Sequence, residues 1–202
     1  MSTTSTRVYF DNIKRFEDRA LFDREYQTMP LSRREKIDRL KSQSDKCLSL
    51  GAGVLLKEAL QKEGIEDYDV LYTKKGKPYL PGHDDIKISL SHSHEMVMCV
   101  ISDNNVGCDI ELIKPINLNI AKRFFSEEEY NEIIESDNKE QAFCRLWTLK
   151  ESFLKVTGEG IGLPLNSFKT ISDEKYEFFE IDEIEGYKAA YCVEVNYGKE
   201  KK

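Results

Sequence analysis

The fold depends on one stretch of sequence, VGCDIEL at residues 106–112. Its alternation predicts a strand with Asp109 and Glu111 on one face and Cys108 and Ile110 on the other. Two like charges on one face repel unless water or a cation neutralises them. The stretch is therefore either an exposed polar face or half of a site for a divalent cation.

A second stretch, WTLKESFLK at residues 147–155, has the spacing of an amphipathic helix. Trp147 and Leu154 belong to its apolar stripe, and Glu151 and Lys155 lie one turn apart beside that stripe. A surface pair of this kind contributes only about 0.3 to 0.5 kcal/mol. Charges at the edge of a core more often have a partner or a task.

Outward from these stretches, hydrophobic periodicity and turn residues predict alternating helices and strands. The predicted strands are 6–10, 68–72, 86–91, 96–102, 106–112, 167–171, 176–181 and 187–195, and the three at 86–112 are expected to form one antiparallel sheet. The predicted helices are 32–41, 45–62, one that begins with a capping box at Ser126, and 139–157.

This order predicts a mixed α/β (α+β) fold of two similar subdomains related by a pseudo-twofold axis. Each subdomain is expected to be a small antiparallel sheet packed with helices. The predicted N-terminal subdomain is 1–105, and the C-terminal one is 106–202, which carries both stretches.

The composition is that of one globular chain of 202 residues, 40% hydrophobic and 33% charged. A net charge of -7 argues against general affinity for nucleic acid or an anionic membrane, because both need a basic field. Five cysteines without a CxxC pair predict reduced thiols, and hence a cytoplasmic protein. No apolar run approaches the roughly 20 residues of a membrane-spanning helix.

Three further features have open interpretations. A run of basic residues from Arg33 to Lys46 is either a solvated helix face or an anion site. His92 and His94 could share a metal ion, but a turn residue or a hydrogen bond to an anionic ligand is the better interpretation. Lys77, between glycine and proline, is similarly open. No Walker A motif or nucleophile elbow is present, so ATP binding and acyl-enzyme chemistry are not indicated.

Six motifs in one order resemble the Sfp-type 4′-phosphopantetheinyl transferases. The family's Gly-x-Asp-x-Glu signature matches residues 107–111, and its Trp-x-x-Lys-Glu-Ser signature with a following lysine matches residues 147–155. Weaker matches are Gly76-Lys77-Pro78, Ser91-His92-Ser93, the stretch 114–126 and the segment 162–165. The resemblance covers residues 33–193, nearly the whole chain.

The resemblance implies that coenzyme A and Mg2+ bind between the two subdomains. The implied reaction moves phosphopantetheine from coenzyme A to a serine hydroxyl of an apo acyl or peptidyl carrier protein and releases adenosine 3′,5′-bisphosphate. By match to the family, Asp109, Glu111 and Glu151 bind the metal. Glu151 is also the base for the carrier serine, directly or through water, and Lys155 with Lys150 stabilises the leaving group.

The family's matching positions also imply that Lys77 and His92 hold phosphates of coenzyme A, with help from the Ser91 backbone. Further phosphate contacts are expected from the basic segment, at Arg33, Lys36 and Lys46. Cys108 is expected to be a small core residue.

A chain of this length is expected to be a monomer, and the carrier is expected to dock near Lys122 to Tyr130. The alternatives are a catalytically silent module that binds coenzyme A or a carrier, and a Mg2+-dependent phosphoanhydride hydrolase.

Overall fold

The computed structural model describes residues 5–158 and 160–195. The strands are β1 (Thr6–Asn12), β2 (Leu71–Tyr72), β3 (Pro78–Tyr79), β4 (Lys87–Ser93), β5 (Met96–Ser102), β6 (Val106–Leu112), β7 (Tyr176–Ile181) and β8 (Tyr187–Glu194). The helices are α1 (Arg19–Thr28), α2 (Leu31–Arg39), α3 (Gln43–Lys62), α4 (Leu118–Phe124), α5 (Glu127–Glu135) and α6 (Lys139–Thr157). Short 3-10 helices cover Ile13–Glu17, Gly160–Gly162 and Leu165–Ser167.

Two three-stranded antiparallel sheets form the frame, with strand orders β1-β5-β4 and β6-β8-β7, and β2 pairs with β3 beside them. The predicted mixed fold of small antiparallel sheets packed with helices is therefore confirmed. One long helix accompanies each sheet, α3 the first and α6 the second, which agrees with the pseudo-twofold arrangement. That symmetry and the division at residue 105 stay predictions.

Three groups of apolar side chains hold these layers together. Leu56 and Leu60 of α3 belong to the same buried cluster as Ile101 of the first sheet. The opposite face of that sheet shares a second cluster with the other sheet, which includes Val100 and Ile110. A third cluster joins α4, α5 and α6. Among the described residues, no helix combines the length and apolar character needed to span a membrane.

Local signals explain why the second long helix begins and ends where it does. The Asn138 side chain accepts a hydrogen bond from the Gln141 amide at the start of α6. Gly158 ends the helix in the left-handed conformation, with φ at 68°. The capping box at Ser126 that predicted the start of α5 is present.

Two sequence-based predictions of the fold are wrong. No strand forms at 167–171; Leu165–Ser167 is a 3-10 helix, and the carbonyls of Leu165 and Phe168 accept hydrogen bonds from the Lys150 ammonium instead of from a strand. The strands at 86–112 do not share one sheet, because β6 leaves β4 and β5 and pairs with β8. The short helices α1 and α4 were not predicted.

Gly107 sets how closely α6 approaches β6. A Cβ atom built at this position would lie 2.1 Å from the Ser152 carbonyl oxygen and 2.3 Å from the Val156 nitrogen. Both atoms belong to helix backbone, which cannot turn aside as a side chain can. The face of β6 that carries Asp109 and Glu111 therefore packs directly against the helix that carries Glu151 and Lys155.

Gly107→Ala should separate β6 from α6 and destabilise the protein by more than about 3 kcal/mol, the upper end for overpacking, because the clash is with backbone. Urea denaturation followed by circular dichroism measures the change. Gly162→Ala is the matched control, since a Cβ there meets nothing within 4 Å. Equal stability of the two variants would contradict this account of the helix position.

Candidate functional site

The ammonium of Lys155 connects α6 to both sheets. It donates hydrogen bonds to Asp109 Oδ1 (2.7 Å), the Cys108 carbonyl oxygen (2.9 Å) and Ser91 Oγ (2.9 Å). Burial is the largest influence and works against the charge of Lys155, but attraction to Asp109, Cys108 and Glu151 together raises the pKa of the lysine above its ordinary value. Lys155 is therefore a fixed cation beside the first carboxylate of β6.

The two carboxylates of β6 each accept a hydrogen bond from a serine of β4. Ser91 Oγ donates to Asp109 Oδ1, and Ser93 Oγ donates to Glu111 Oε2, both at 2.7 Å. The second oxygen of Asp109, Oδ2, is buried and has no hydrogen-bond partner among the described residues. A buried carboxylate oxygen without a partner is costly unless a further group completes its surroundings.

Glu151 reaches the same place from the helix. Burial first, and then repulsion from Asp109 and Glu111, raises the pKa of Glu151. Burial and Asp109 likewise raise the pKa of Glu111, against the hydrogen bond from Ser93. Within the described part of the chain, the Glu151 carboxylate forms no hydrogen bond or ion pair. Three mutually repelling carboxylates thus meet where β6 faces α6.

Cys108 points to the other side of β6. It is fully buried in the cluster shared by the two sheets, and burial raises the pKa of its thiol to about 11. The expectation that it is a small core residue agrees with this position. A protonated, buried thiol is not a nucleophile.

A cavity of about 580 Å³ opens beside the carboxylates, and it is called the large cavity below. Its polar lining includes Lys77, Glu151 and Lys155, and its apolar lining includes Phe124 and Trp147. The rings of Phe124 and Trp147 meet edge to face, with centroids 5.9 Å apart. Residues of β3, β4, α4 and α6 together form the wall of this cavity.

A smaller cavity of about 310 Å³ lies on the other side of the Gly76–Pro78 turn and is called the basic cavity. Arg33, Lys36 and His92 line it. Burial, followed by repulsion from Arg33, lowers the pKa of Lys36; burial, followed by repulsion from Lys155 and Lys36, lowers that of His92. Arg33 is only 7% exposed and has no acidic partner among the described residues. Arg33 is buried, whereas Lys36 and His92 are exposed at the cavity wall. Two positive charges and an imidazole around one cavity favour an anion.

Lys77 lies in the turn between the two cavities. Its ammonium donates to the Val156 carbonyl oxygen at 2.7 Å, which holds the turn against the last part of α6. Burial lowers the pKa of Lys77 to about 8. Lys46, by contrast, is half-buried on α3 and lines neither cavity, so the structure does not bring it to the other predicted phosphate contacts.

Lys150 does not face either cavity. Its side chain is fully buried, and its ammonium donates to Glu129 Oε1 and to the carbonyl oxygens of Leu165 and Phe168, each at 2.8 Å. All three hydrogens of the ammonium are therefore engaged inside the protein. Lys150, unlike Lys155, lines neither cavity, and this position argues against its predicted role at the leaving group.

The carboxylates on β6 and α6 supply the oxygen ligands that divalent cations bind, but their oxygen atoms do not converge on a single position. The described residues include no group of three or more His, Cys, Asp or Glu side chains already placed to hold a metal ion. Asp109 Oδ2 is buried without a partner, and burial followed by carboxylate repulsion raises the pKa values of Glu111 and Glu151. A hard cation with oxygen ligands would relieve both conditions. His94 lies in the β4–β5 turn beside Glu95, so the structure gives no support to a zinc site with His92.

Two functional contacts were missed by sequence reasoning. The hydrogen bond from Ser93 to Glu111 was foreshadowed by the alternating serines at 89, 91 and 93, which predict hydroxyls on one face of a strand. For the ion pair between Glu129 and Lys150, the sequence offered only the capping box as a signal. The capping box uses Glu129 Oε2, whereas Lys150 contacts Oε1.

The profile of the 4′-phosphopantetheinyl transferase superfamily matches residues 105–201. Among curated proteins, the chain is similar to 4′-phosphopantetheinyl transferase Sfp of Bacillus subtilis (strain 168), at 38% identity over 67% of this chain and 63% of that protein. A second 4′-phosphopantetheinyl transferase of Bacillus subtilis is 32% identical over 84% of both chains. The 4′-phosphopantetheinyl transferase gsp of Aneurinibacillus migulanus is 36% identical over 71% of this chain and 66% of that protein.

Similarity over most of both chains shows that this protein belongs to the 4′-phosphopantetheinyl transferase superfamily. The predicted family and the predicted class of enzyme, a transferase, are confirmed. The family's activity transfers phosphopantetheine from coenzyme A to a serine of a carrier protein. The matched segments span just under two thirds of Sfp and gsp, so the substrates and partners of this particular chain are matters of proposal.

Lys150→Met should destabilise the fold by about 3 to 5 kcal/mol, because it leaves the Glu129 carboxylate buried without its cation. The double variant Lys150→Met with Glu129→Leu should recover part of that loss, and urea denaturation measures both. Lys169→Met is the control, since its ion pair with Glu128 is exposed and should contribute about 1 kcal/mol or less. A Lys150→Met variant as stable as the control would contradict the structural role.

Proposed function

We propose that this protein transfers 4′-phosphopantetheine from coenzyme A to a serine hydroxyl of an apo acyl or peptidyl carrier protein and releases adenosine 3′,5′-bisphosphate. The observation that supports this best is the position of Glu151. Its free carboxylate lines the large cavity beside Lys155, and Gly76 and Pro78 line both this cavity and the basic cavity. A base, a cation and an anion site thus lie together, as attack on a diphosphate requires.

Glu151 suits the role of general base. Burial and the neighbouring carboxylates raise its pKa, which makes it a better proton acceptor than an ordinary surface glutamate. The proposed step forms a bond between the serine oxygen and the phosphorus that carries pantetheine. The bond from that phosphorus to the adenosine 5′-phosphate oxygen breaks, the serine proton moves to Glu151, and the leaving phosphate keeps the electron pair.

Fixed positive charge should stabilise the leaving phosphate. Lys155 and Lys77 both line the large cavity, and each is held in place by a backbone carbonyl. Preorganised cations of this kind cost no rearrangement during the reaction. We assign the charge-stabilising role to Lys155 and propose that Lys150 instead holds the segment 165–168, which forms part of the cavity wall.

Asp109, Glu111 and Glu151 are the proposed ligands of Mg2+. When bound, Mg2+ would offset the negative charge of the diphosphate oxygens. Asp109 supports this assignment, because Lys155 holds its Oδ1 while its Oδ2 has no partner among the described residues and is available to a cation.

The basic cavity is the proposed site for the remaining phosphate of coenzyme A. Arg33 and Lys36 would offer positive charge to that anion, and His92, whose pKa burial lowers, would contact it as a hydrogen-bond donor. Because the cavity reaches the turn that carries Lys77, one ligand could contact all four side chains. Ser91 is proposed to assist through its backbone, and Lys46 remains a weaker candidate because it lies outside this cavity.

The carrier is proposed to dock near Lys122 to Tyr130. This segment includes the end of α4 and the start of α5, and Arg123 and Phe124 belong to the wall of the large cavity. Leu118 and Ile120 of α4 are 36% and 42% exposed, so an apolar patch adjoins the cavity mouth. A site built from one chain supports the proposed monomer, and five buried free thiols support the proposed cytoplasmic location.

Incubating the protein with coenzyme A, Mg2+ and a panel of apo carriers should add one phosphopantetheine mass to at least one carrier. Glu151→Gln should slow this gain at least about 100-fold, because the amide cannot accept the serine proton. Intact-protein mass spectrometry measures the gain, and Glu140→Gln on the same helix is the control. Coenzyme A binding without any mass gain would indicate a silent binding module. Cleavage of coenzyme A without a carrier would indicate a hydrolase.

Affinity for coenzyme A should fall as the pH rises, because Lys77 in the free protein loses its proton above about pH 8. A bound phosphate would keep the lysine charged, so binding takes up a proton in this range and should weaken about tenfold from pH 7 to pH 9. Isothermal titration calorimetry measures the affinity. Lys77→Arg stays charged throughout and should remove this dependence. An equal pH dependence in the variant would exclude Lys77 from phosphate binding.

A further inference from the structure

Three serines of β4 join the two sheets. Their hydroxyls lie at alternate positions and meet β6, the edge strand of the other sheet. Ser89 Oγ accepts a hydrogen bond from the Cys108 amide at 3.0 Å, and Ser93 Oγ accepts one from the Leu112 amide at 3.1 Å. These side chains satisfy backbone donors that an ordinary strand neighbour would otherwise satisfy.

The three serines differ in the group to which each hydroxyl donates its hydrogen bond. Ser91 and Ser93 donate to the carboxylates of Asp109 and Glu111. Ser89 lies beside Cys108 and donates to no carboxylate among the described residues. Ser89 and Ser93 therefore share the backbone contact with β6 but differ in the contact with a carboxylate.

Each of the two donating serines occupies one carboxylate oxygen and leaves the other. Asp109 Oδ2 is buried and unpartnered, and Glu111 Oε1 has no hydrogen bond or ion pair within the described residues. A glutamate side chain has three rotatable bonds, so a hydrogen bond to one oxygen limits where the second oxygen can lie. Ligands fixed in advance bind a metal more tightly than ligands that must first be ordered.

We propose that Ser93, together with Ser91, is a positioning residue that presents one free oxygen of each β6 carboxylate to a divalent cation. The N-terminal sheet thereby sets the geometry of carboxylates that belong to the C-terminal sheet. This inference rests on the proposed function, because it takes Asp109 and Glu111 as metal ligands. Ser93 itself touches neither substrate nor metal in this role.

The test compares Ser93→Ala with Ser89→Ala, since each removes a hydroxyl that accepts a β6 amide. The affinity for Mn2+ is measured by electron paramagnetic resonance with coenzyme A present and no carrier. We expect the dissociation constant to rise about tenfold or more in Ser93→Ala, the usual effect of losing a partner of a metal ligand, and to change less than about twofold in Ser89→Ala. Ser93→Thr keeps the hydroxyl and should restore wild-type affinity.

Equal effects of the two alanine variants on Mn2+ affinity would overturn the inference, because the hydroxyl would then act only through the backbone contact. An unchanged affinity in Ser93→Ala would also overturn it. If the alanine variants do not fold, Ser93→Cys and Ser89→Cys provide the same comparison with less loss of volume, since a thiol donates only weakly.

The outcome is distinguishable from failure of the proposed function. A wild-type protein that neither binds Mn2+ nor modifies any carrier would overturn the proposed function. A wild-type protein that modifies a carrier, combined with a Ser93→Ala variant that binds Mn2+ normally, would overturn only the positioning role.

Discussion

The close packing of α6 on β6 at Gly107 is the constraint on which the rest of the site depends. Because no side chain separates the two backbones, residues on this face of the strand lie directly against the helix. Asp109 and Glu111 follow Gly107 on the same face, and Lys155 can therefore reach Asp109 at 2.7 Å. A wider separation would leave the carboxylates on the strand and Glu151 on the helix too far apart to influence one another.

Charge is concentrated here at a cost to stability. Burial, with repulsion from Asp109, raises the pKa values of Glu111 and Glu151, and burial, with repulsion from neighbouring cations, lowers those of Lys36 and His92. Folded proteins tolerate such repulsion where a ligand relieves it, and perturbed titration is accordingly common at functional sites. The fixed contacts of Lys155 and Lys150 limit the cost, because each ammonium finds three acceptors inside the protein.

Periodicity and capping predicted the parts of the fold that local interactions control. The long helices α3 and α6 and the hairpin of β4 and β5 formed as expected, because their apolar spacing and end signals are contained in adjacent residues. The prediction that β6 shares a sheet with β4 and β5 was wrong, because packing across the whole chain decides which strands pair. The missing strand at 167–171 has a similar cause: the Lys150 ammonium, distant in sequence, takes the carbonyls that a strand would have offered.

The sequence by itself determined the family, the class of reaction and the chemical types at the site, because six ordered motifs hold the necessary side chains. The tertiary structure decided which of those side chains meet. It placed Arg33, Lys36 and His92 around one cavity, left Lys46 outside it, and buried Lys150 against Glu129. It also brought the serines of β4 to the carboxylates of β6. The physical reason is that hydrogen bonds and charge pairs act over a few ångströms in space, and spacing along the chain does not fix those distances.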